Sequence, residues 1–164
     1  MLKKYELTSE TTQTKNGKTL YRIKALRDFG DVKAGDLGGW VESESNLDHV
    51  GDCWVSGDAW VYGDARVSGA ALISGYARVF GNAWVSGNAR VYKKSHIITF
   101  SGFGSLARTT TAFKTEASFH ISCGCFKGTL EEFRAAISET HGDNKFGREY
   151  KLIADLIELH FSEE

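Results

Sequence analysis

The sequence predicts a mainly β protein, wound as a parallel coil and closed by a cap at each end. Three observations predict it: a six-residue repeat, a two-residue alternation inside each repeat, and a Gly-Asp or Gly-Asn pair between repeats. From Gly51 the chain reads GDCWVS, GDAWVY, GDARVS, GAALIS, GYARVF, GNAWVS, GNARVY. The alignment extends more loosely through KKSHII, TFSGFG, SLARTT, TAFKTE and ASFHIS to Ser122. Upstream, Val41 and Leu47 fall in phase with Cys53 and Ala59.

Each hexad offers two inward positions, two residues apart. One is small: Cys53, Ala59, Ala65, Ala71, Ala77, Ala83, Ala89, Ser95, Ser101 and Ala107. The other is β-branched or apolar: Val55, Val61, Val67, Ile73, Val79, Val85, Val91, Ile97 and Phe103. A spacing of two is strand alternation. The glycine pairs that follow are turn chemistry, tolerant of positive φ. A corner every six residues leaves no room for antiparallel hairpins. Each strand can instead pair with the next turn of a coil, roughly 4.8 Å away.

This pattern, small-x-aliphatic-x-Gly-x as in Ala83-x-Val85-x-Gly87-x, resembles the hexapeptide-repeat, left-handed parallel β-helix family. The resemblance covers about residues 41–122. It implies three hexads per coil and about 4–5 coils. It also implies the left hand, which the general preference for right-handed crossovers would not predict. The whole chain is similar to small β-helical proteins encoded by bacteriophages and prophages, through its LYRIKAL…GDLGGWVE lead-in and GTLEEF…THGDN end. That likeness implies a viral accessory protein working in the cytoplasm of a bacterial host.

The caps follow from local signals. Tyr5 and Leu7 alternate with polar residues, Lys15-Asn16-Gly17-Lys18 is a hairpin turn, and Leu20 to Leu26 is a returning strand. Thr129 and Glu132 form a capping box for a helix near 130–140, which Gly142 stops. Asp143 or Asn144 caps a second helix to about residue 161, with Phe146, Tyr150, Ile153, Ile157 and Phe161 as its apolar stripe. The expected organisation is one folding unit: an N-terminal β-hairpin cap at 1–40, the β-helix at 41–122, and a two-helix cap at 123–164. Capped ends hide a solenoid's open strands.

Composition fits a globular chain. Of 164 residues, 41% are apolar and 25% charged, and no run approaches a membrane span. MLKKYELTSETT has no apolar stretch of a secretory signal. Three cysteines make no disulfide framework and fit a reducing cytosol. The net charge of −1 hides a split. Residues 1–64 carry eight basic and eleven acidic groups, 65–128 carry eight basic and one acidic, and 129–164 carry four basic and nine acidic. The acid-poor middle favours an anionic partner.

With 18 residues per coil, outward side chains sort into three faces. The first carries Trp54, Leu72, Arg90 and Arg108; the second Trp60, Arg78, His96 and Lys114; the third Arg66, Trp84, Gly102 and His120. Trp60, Tyr62, Phe80 and Ile98 would form an apolar column on the second face. Such patches mark interfaces, and the family's usual trimer makes this column the expected homotrimer contact. Trp60, Arg66, Arg78, Trp84, Arg90, His96 and Arg108 form the candidate ligand-binding set. Guanidinium forks grip phosphate and aromatic rings stack on planar groups. The competing reading is that arginine and aromatics are simply favourable on a pleated surface.

Catalytic and cofactor signatures are sparse. The repeat places His96 and His120 outward but on different faces, and His49 in an irregular first hexad where an inward position is open to it. No three-histidine zinc spacing is present, and Cys123-x-Cys125 cannot complete a tetrahedral site alone. There is no P-loop and no GxGxxG before a helix. No cofactor, membrane or specific nucleic-acid partner is expected. The sequence therefore favours a non-enzymatic binding protein that sequesters an anionic small molecule, such as a signalling nucleotide of bacterial defence, between subunits. One alternative is an inhibitor that grips a host defence protein through the same faces. Another is a hexapeptide-type acyltransferase using His96 or His120 as base.

Overall fold

A computed structural model describes residues 1–162. The chain is mainly β with two helices, and it divides into two compact units, Met1–His96 and a second beginning at Ile97.

The first unit opens with β1 (Tyr5–Gln13) and β2 (Thr19–Ala25), an antiparallel hairpin. β2 pairs antiparallel with β3 (Leu37–Val41), and β3 then pairs in parallel with β5 (Trp60–Val61). From there two-residue rungs repeat: β4 (Trp54–Val55), β6 (Arg66–Val67), β7 (Leu72–Ile73), β8 (Arg78–Val79), β9 (Trp84–Val85) and β10 (Arg90–Val91). They stack as three parallel ladders, β3-β5-β8, β4-β7-β10 and β6-β9, the last extended by a bridge from Leu47 to Val67. From β4 onward partners are 18 residues apart, as in Trp54 with Leu72 and Leu72 with Arg90. The cross-coil bonds are backbone N–H to carbonyl, for example Trp60 N to Ala77 O at 3.0 Å and Ser56 N to Ile73 O at 2.8 Å.

The interior is made of stacked columns. Ala59 lies under Ala77, Ala65 under Ala83, and Cys53, Ala71 and Ala89 in line; all are fully buried. The aliphatic columns are Val41–Val61–Val79, Leu47–Val67–Val85 and Val55–Ile73–Val91. At the corners, Gly51 to Gly87 hold φ between 59° and 76°. Gly69 also meets the next coil so closely that a Cβ there would lie 2.9 Å from the Gly87 nitrogen. An L side chain is excluded at this corner by conformation and by space.

Three expectations need correction in this unit. First, Val41 and Leu47 occupy aliphatic columns, not the small one, because their partners are 20 residues away. Two extra residues enter between Leu47 and Val55; an insertion of two preserves which side chains face inward. Second, Trp54 keeps its outward position beside Leu72 but is not exposed. It is 5% exposed under the N-terminal segment, edge-on to Tyr5 and Phe29. Third, the coil does not run to residue 122. Each ladder holds three rungs among the described residues, and a 3-10 turn at Lys94–His96 follows the last.

Two fully buried polar side chains of this unit, Asn46 and Lys4, are hydrogen-bonded. Asn46 is fully buried; its Nδ2 donates to Gly63 O and Ala65 O, and its Oδ1 accepts from Ser43 N. Lys4, also fully buried, donates from Nζ to Cys53 O at 2.7 Å and Gly51 O at 3.2 Å, and sits 4.8 Å from the Phe29 ring centre. These ties fasten the N-terminal strand to the first coil.

The second unit is an antiparallel sheet with two helices. β11 (Ile97–Phe103), β12 (Arg108–Lys114), β13 (Phe119–Cys123) and β14 (Phe126–Gly128) pair in chain order. Helices α1 (Leu130–His141) and α2 (Lys145–Ser162) pack with them around Ala112, Ile121, Phe133, Ile137, Tyr150, Ile153 and Ile157. The Thr129–Glu132 capping box forms, and Asn144 accepts the Gly147 N–H at the start of α2. The loose hexads beyond residue 93 are thus strands of hairpins. Ser95, Ser101, Ala107, Ile97 and Phe103 leave the solenoid columns. The physical reason is legible: after Gly87 the corner positions become Lys93, Thr99 and Ser105, while Gly102 and Gly104 bring positive φ to a hairpin instead.

Candidate functional site: an arginine–tryptophan row on the coil

The outward side chains of the β1-β2-β3-β5-β8 sheet form one continuous row. Register pairs Arg22 with Trp40, Trp40 with Trp60, and Trp60 with Arg78. Strand pleating puts these four on the same outer face, since Val41, Val61 and Val79 beside them point inward. Both ends of the row are cations over rings. The Arg22 guanidinium carbon lies 5.5 Å from the Trp40 ring centre, and that of Arg78 lies 4.1 Å from the centre of Trp60. Beside the row, Tyr62 stacks on Phe80 at 5.4 Å, and Trp60 meets Tyr62 edge-on at 6.4 Å. Phe80 remains 52% exposed.

The arginines are held in place. Arg78 donates from Nη1 to Asp58 O at 2.7 Å, Ala77 O at 3.0 Å and Tyr76 O at 3.1 Å. Arg90 repeats the device one face away, with Nη1 donating to Ala89 O and Ala70 O. Each guanidinium therefore ties the corner of its own coil to the coil before it. Burial lowers the Arg78 pKa, opposed by the nearby Tyr62 and Asp58. Arg22 donates from Nε to Gly38 O at 3.2 Å and lies 3.5 Å from a Glu10 carboxylate oxygen. A guanidinium has five N–H donors, so one pinned nitrogen leaves others to meet an anion.

The predicted residues separate into groups. Trp60 and Arg78 belong to the row, with Tyr62 and Phe80 at its side. Arg66 and Trp84 form a second exposed pair on β6 and β9, 6.0 Å apart. Arg90 lies on the third ladder, above Leu72. His96 is corrected: it is 3% exposed, and its Nδ1 accepts the Tyr92 N–H. Ile98, Arg108 and His120 are corrected too, because they lie on β11, β12 and β13 of the second unit. Ile98 there pairs with Ala112 and packs against the helices' core, and His120 pairs with Phe113.

Arg22 and Trp40 were not anticipated. Their signal was present: Gly39-Trp40-Val41 repeats the small-Trp-Val of Ala59-Trp60-Val61. The 20-residue offset masked it. Gly39 even fills the small slot, since a Cβ there would lie 2.7 Å from Ala59 O.

Other chemistry is confined to packing. His49 stacks on Tyr5 at 4.3 Å, accepts the Lys4 N–H at Nδ1, and has Nε2 3.6 Å from a Glu44 oxygen. Burial pushes the Cys53 thiol pKa up, although Lys4 beside it works the other way. Among the described residues no cluster of three or more His, Cys, Asp or Glu could hold a metal ion. No helix there is long and apolar enough to cross a membrane.

Residues 59–75 match the profile of the YdcK β-solenoid repeat. An uncharacterized acetyltransferase, YdcK, of Escherichia coli strain K12 is 38% identical over an alignment of 61 residues that covers 33% of this chain. The match spans 19% of that relative's length. The chain is therefore similar to a β-solenoid repeat over residues 59–75, which include Trp60.

Proposed function

We propose that the chain is a non-catalytic binding protein whose coil surface captures an anionic, planar small molecule of nucleotide type. The observation that carries this reading is the row Arg22–Trp40–Trp60–Arg78, in which two pinned guanidinium groups bracket two indoles on adjacent strands. Pinned donors lose little entropy on binding, and indoles offer flat faces to a base. The exposed Arg66–Trp84 pair is a second contact of the same kind. In this reading the coil is left-handed, and copies assemble as a trimer through the Tyr62–Phe80 patch, with Ile98 no longer part of the contact. The likeness to phage accessory proteins gives sequestration a purpose: withdrawal of a signalling nucleotide used in host defence.

The test is calorimetric titration of the protein at low salt against cyclic and linear nucleotides, coenzyme A and inorganic phosphate. A charge-assisted hydrogen bond contributes about 1.5–3 kcal/mol. Arg78→Ala should therefore weaken nucleotide binding roughly ten- to a hundredfold, with circular dichroism unchanged. Trp60→Ala should weaken nucleotides more than inorganic phosphate, which has no ring to stack. If no nucleotide binds the wild-type protein, the small-molecule reading falls and a protein partner replaces it, since arginine and aromatics also make protein hot spots.

Acyl transfer is the second reading, favoured by the description of the E. coli relative as an acetyltransferase. Of its two candidate bases, His96 is buried and accepts the Tyr92 N–H at Nδ1, which leaves the half-buried His120 on β13 as the base this reading would use. Bound ligand recovered unaltered after denaturation supports binding; deacylated coenzyme A would support transfer.

A further inference from the structure

The row Arg22–Trp40–Trp60–Arg78 has a fixed order and a fixed length. It crosses four neighbouring strands, β2, β3, β5 and β8, with one residue from each. Three strand spacings of roughly 4.8 Å separate the lines of its two arginines by roughly 14 Å. All four side chains are half-buried.

Both cations keep open donors. The three carbonyls held by Arg78 all meet Nη1, which leaves the Nη2 and Nε donors of its fork. Arg22 uses Nε on Gly38 O and turns Nη1 toward Glu10, which leaves Nη2. The Glu10 side chain is 56% exposed and its oxygen lies 3.5 Å away. An exposed pair of this kind contributes little, so an anion of higher charge can displace it. Glu42, two residues from Trp40, is already taken by the Gly63 N–H and by Lys18.

The row is also closed at both ends. Past Arg22 the next strand, β1, brings the acid Glu10. Past Arg78 the sheet has no further strand, since β8 is its last. A groove for a long single strand continues its positive charge along the backbone. Here one cation stands at each end, with two rings between them.

We propose, resting on the nucleotide reading above, that the row selects a dinucleotide phosphorylated at both ends. Each terminal phosphate meets one arginine, and the two bases meet Trp40 and Trp60. A terminal phosphate carries about −1.5 to −2 charges at neutral pH and outcompetes a single carboxylate for a guanidinium fork. Stacking on indoles is tolerant of base identity, so the selection is for length and end charge. A mononucleotide reaches one end of the row only.

Calorimetric titration at low salt with four dinucleotides tests this: phosphorylated at neither end, at one end, at the other, and at both. The wild type should bind the doubly phosphorylated one roughly tenfold or more tighter than either singly phosphorylated one. Arg22→Ala should erase the contribution of one terminal phosphate and leave that of the other. Arg78→Ala should do the reverse. The retained response shows that each variant is folded. Where an alanine variant loses its circular-dichroism spectrum, the lysine variant takes its place, with the same pairing expected at smaller amplitude. A tetranucleotide without terminal phosphates should bind more weakly than the doubly phosphorylated dinucleotide. Equal binding of all four dinucleotides, loss of the same phosphate's contribution in both variants, or a tetranucleotide bound as tightly would each overturn the proposal while nucleotide capture stands. If neither these ligands nor any mononucleotide binds, the nucleotide reading itself falls, and this proposal with it.

Discussion

Tyr150 illustrates how one side chain couples packing to pH. It is 7% exposed, its hydroxyl donates to Phe103 O at 3.4 Å, and a Cβ on Gly104 would run into its ring. Burial, with the neighbouring Cys123 adding to it, raises its pKa from 10.0 to about 12. A group whose pKa is raised by folding stabilises the fold fully below its unfolded value. That contribution is lost as pH rises through the folded value. Stability should thus decline between about pH 10 and about pH 12 as the phenol ionises. Tyr150→Phe should flatten this decline. Urea unfolding midpoints across that window check it: the wild type must lose ground to the variant as pH rises.

At the scale of the element, the coil is governed by volume. Ala77 is fully buried directly above Ala59, where the ladder spacing leaves room only for a methyl group. Ala77→Leu should overpack the column and cost about 1–3 kcal/mol, read as a lower denaturation midpoint. An unchanged midpoint would mean the coils do not stack with this register. The same element explains the arginines. In Arg78 and Arg90 the outward side chain folds back on the corner carbonyls of the coil 20 residues earlier, Asp58 and Ala70. Surface arginine here closes hydrogen bonds the tight corners leave open, before it meets any ligand.

For the whole molecule, assembly through the coil remains a proposal with its own test. Phe80 is 52% exposed and stacked on Tyr62, beside the arginine–tryptophan row. If this patch joins three copies, Phe80→Asp buries an unpaired charge in each contact and should dissociate the trimer in sedimentation equilibrium. A wild type that is monomeric at low concentration, or a variant with unchanged mass, removes the patch as a contact. The acid-poor middle of the chain is divided between the two units: Arg66, Arg78 and Arg90 lie in the first, Arg108, Lys114 and Lys127 in the second. The charge pattern read along the sequence is therefore shared between two separately packed folds.

The local repeat was enough to determine the coil. A small residue, a β-branched residue and a corner glycine recur every six positions, and each requirement is local: methyl-sized space, strand alternation, positive φ. Helix caps at Thr129 and Asn144 were legible for the same reason, since a cap is made by neighbours in sequence. Only the tertiary structure decided where the coil stops and what its outward residues meet. Ile97 to Ser122 keep some hexad spacing, but two-residue alternation is common to parallel and antiparallel strands, and the loss of corner glycines lets hairpin pairing win. His96 turns inward and Trp54 is covered because of chain that lies elsewhere in the sequence or departs from the hexad. The site was half visible. Trp60 and Arg78 could be stacked by counting 18, whereas Trp40 and Arg22 join the row only through a 20-residue coil and an antiparallel strand. Register across strands is settled by packing, and counting along the chain finds it only while the period is unbroken.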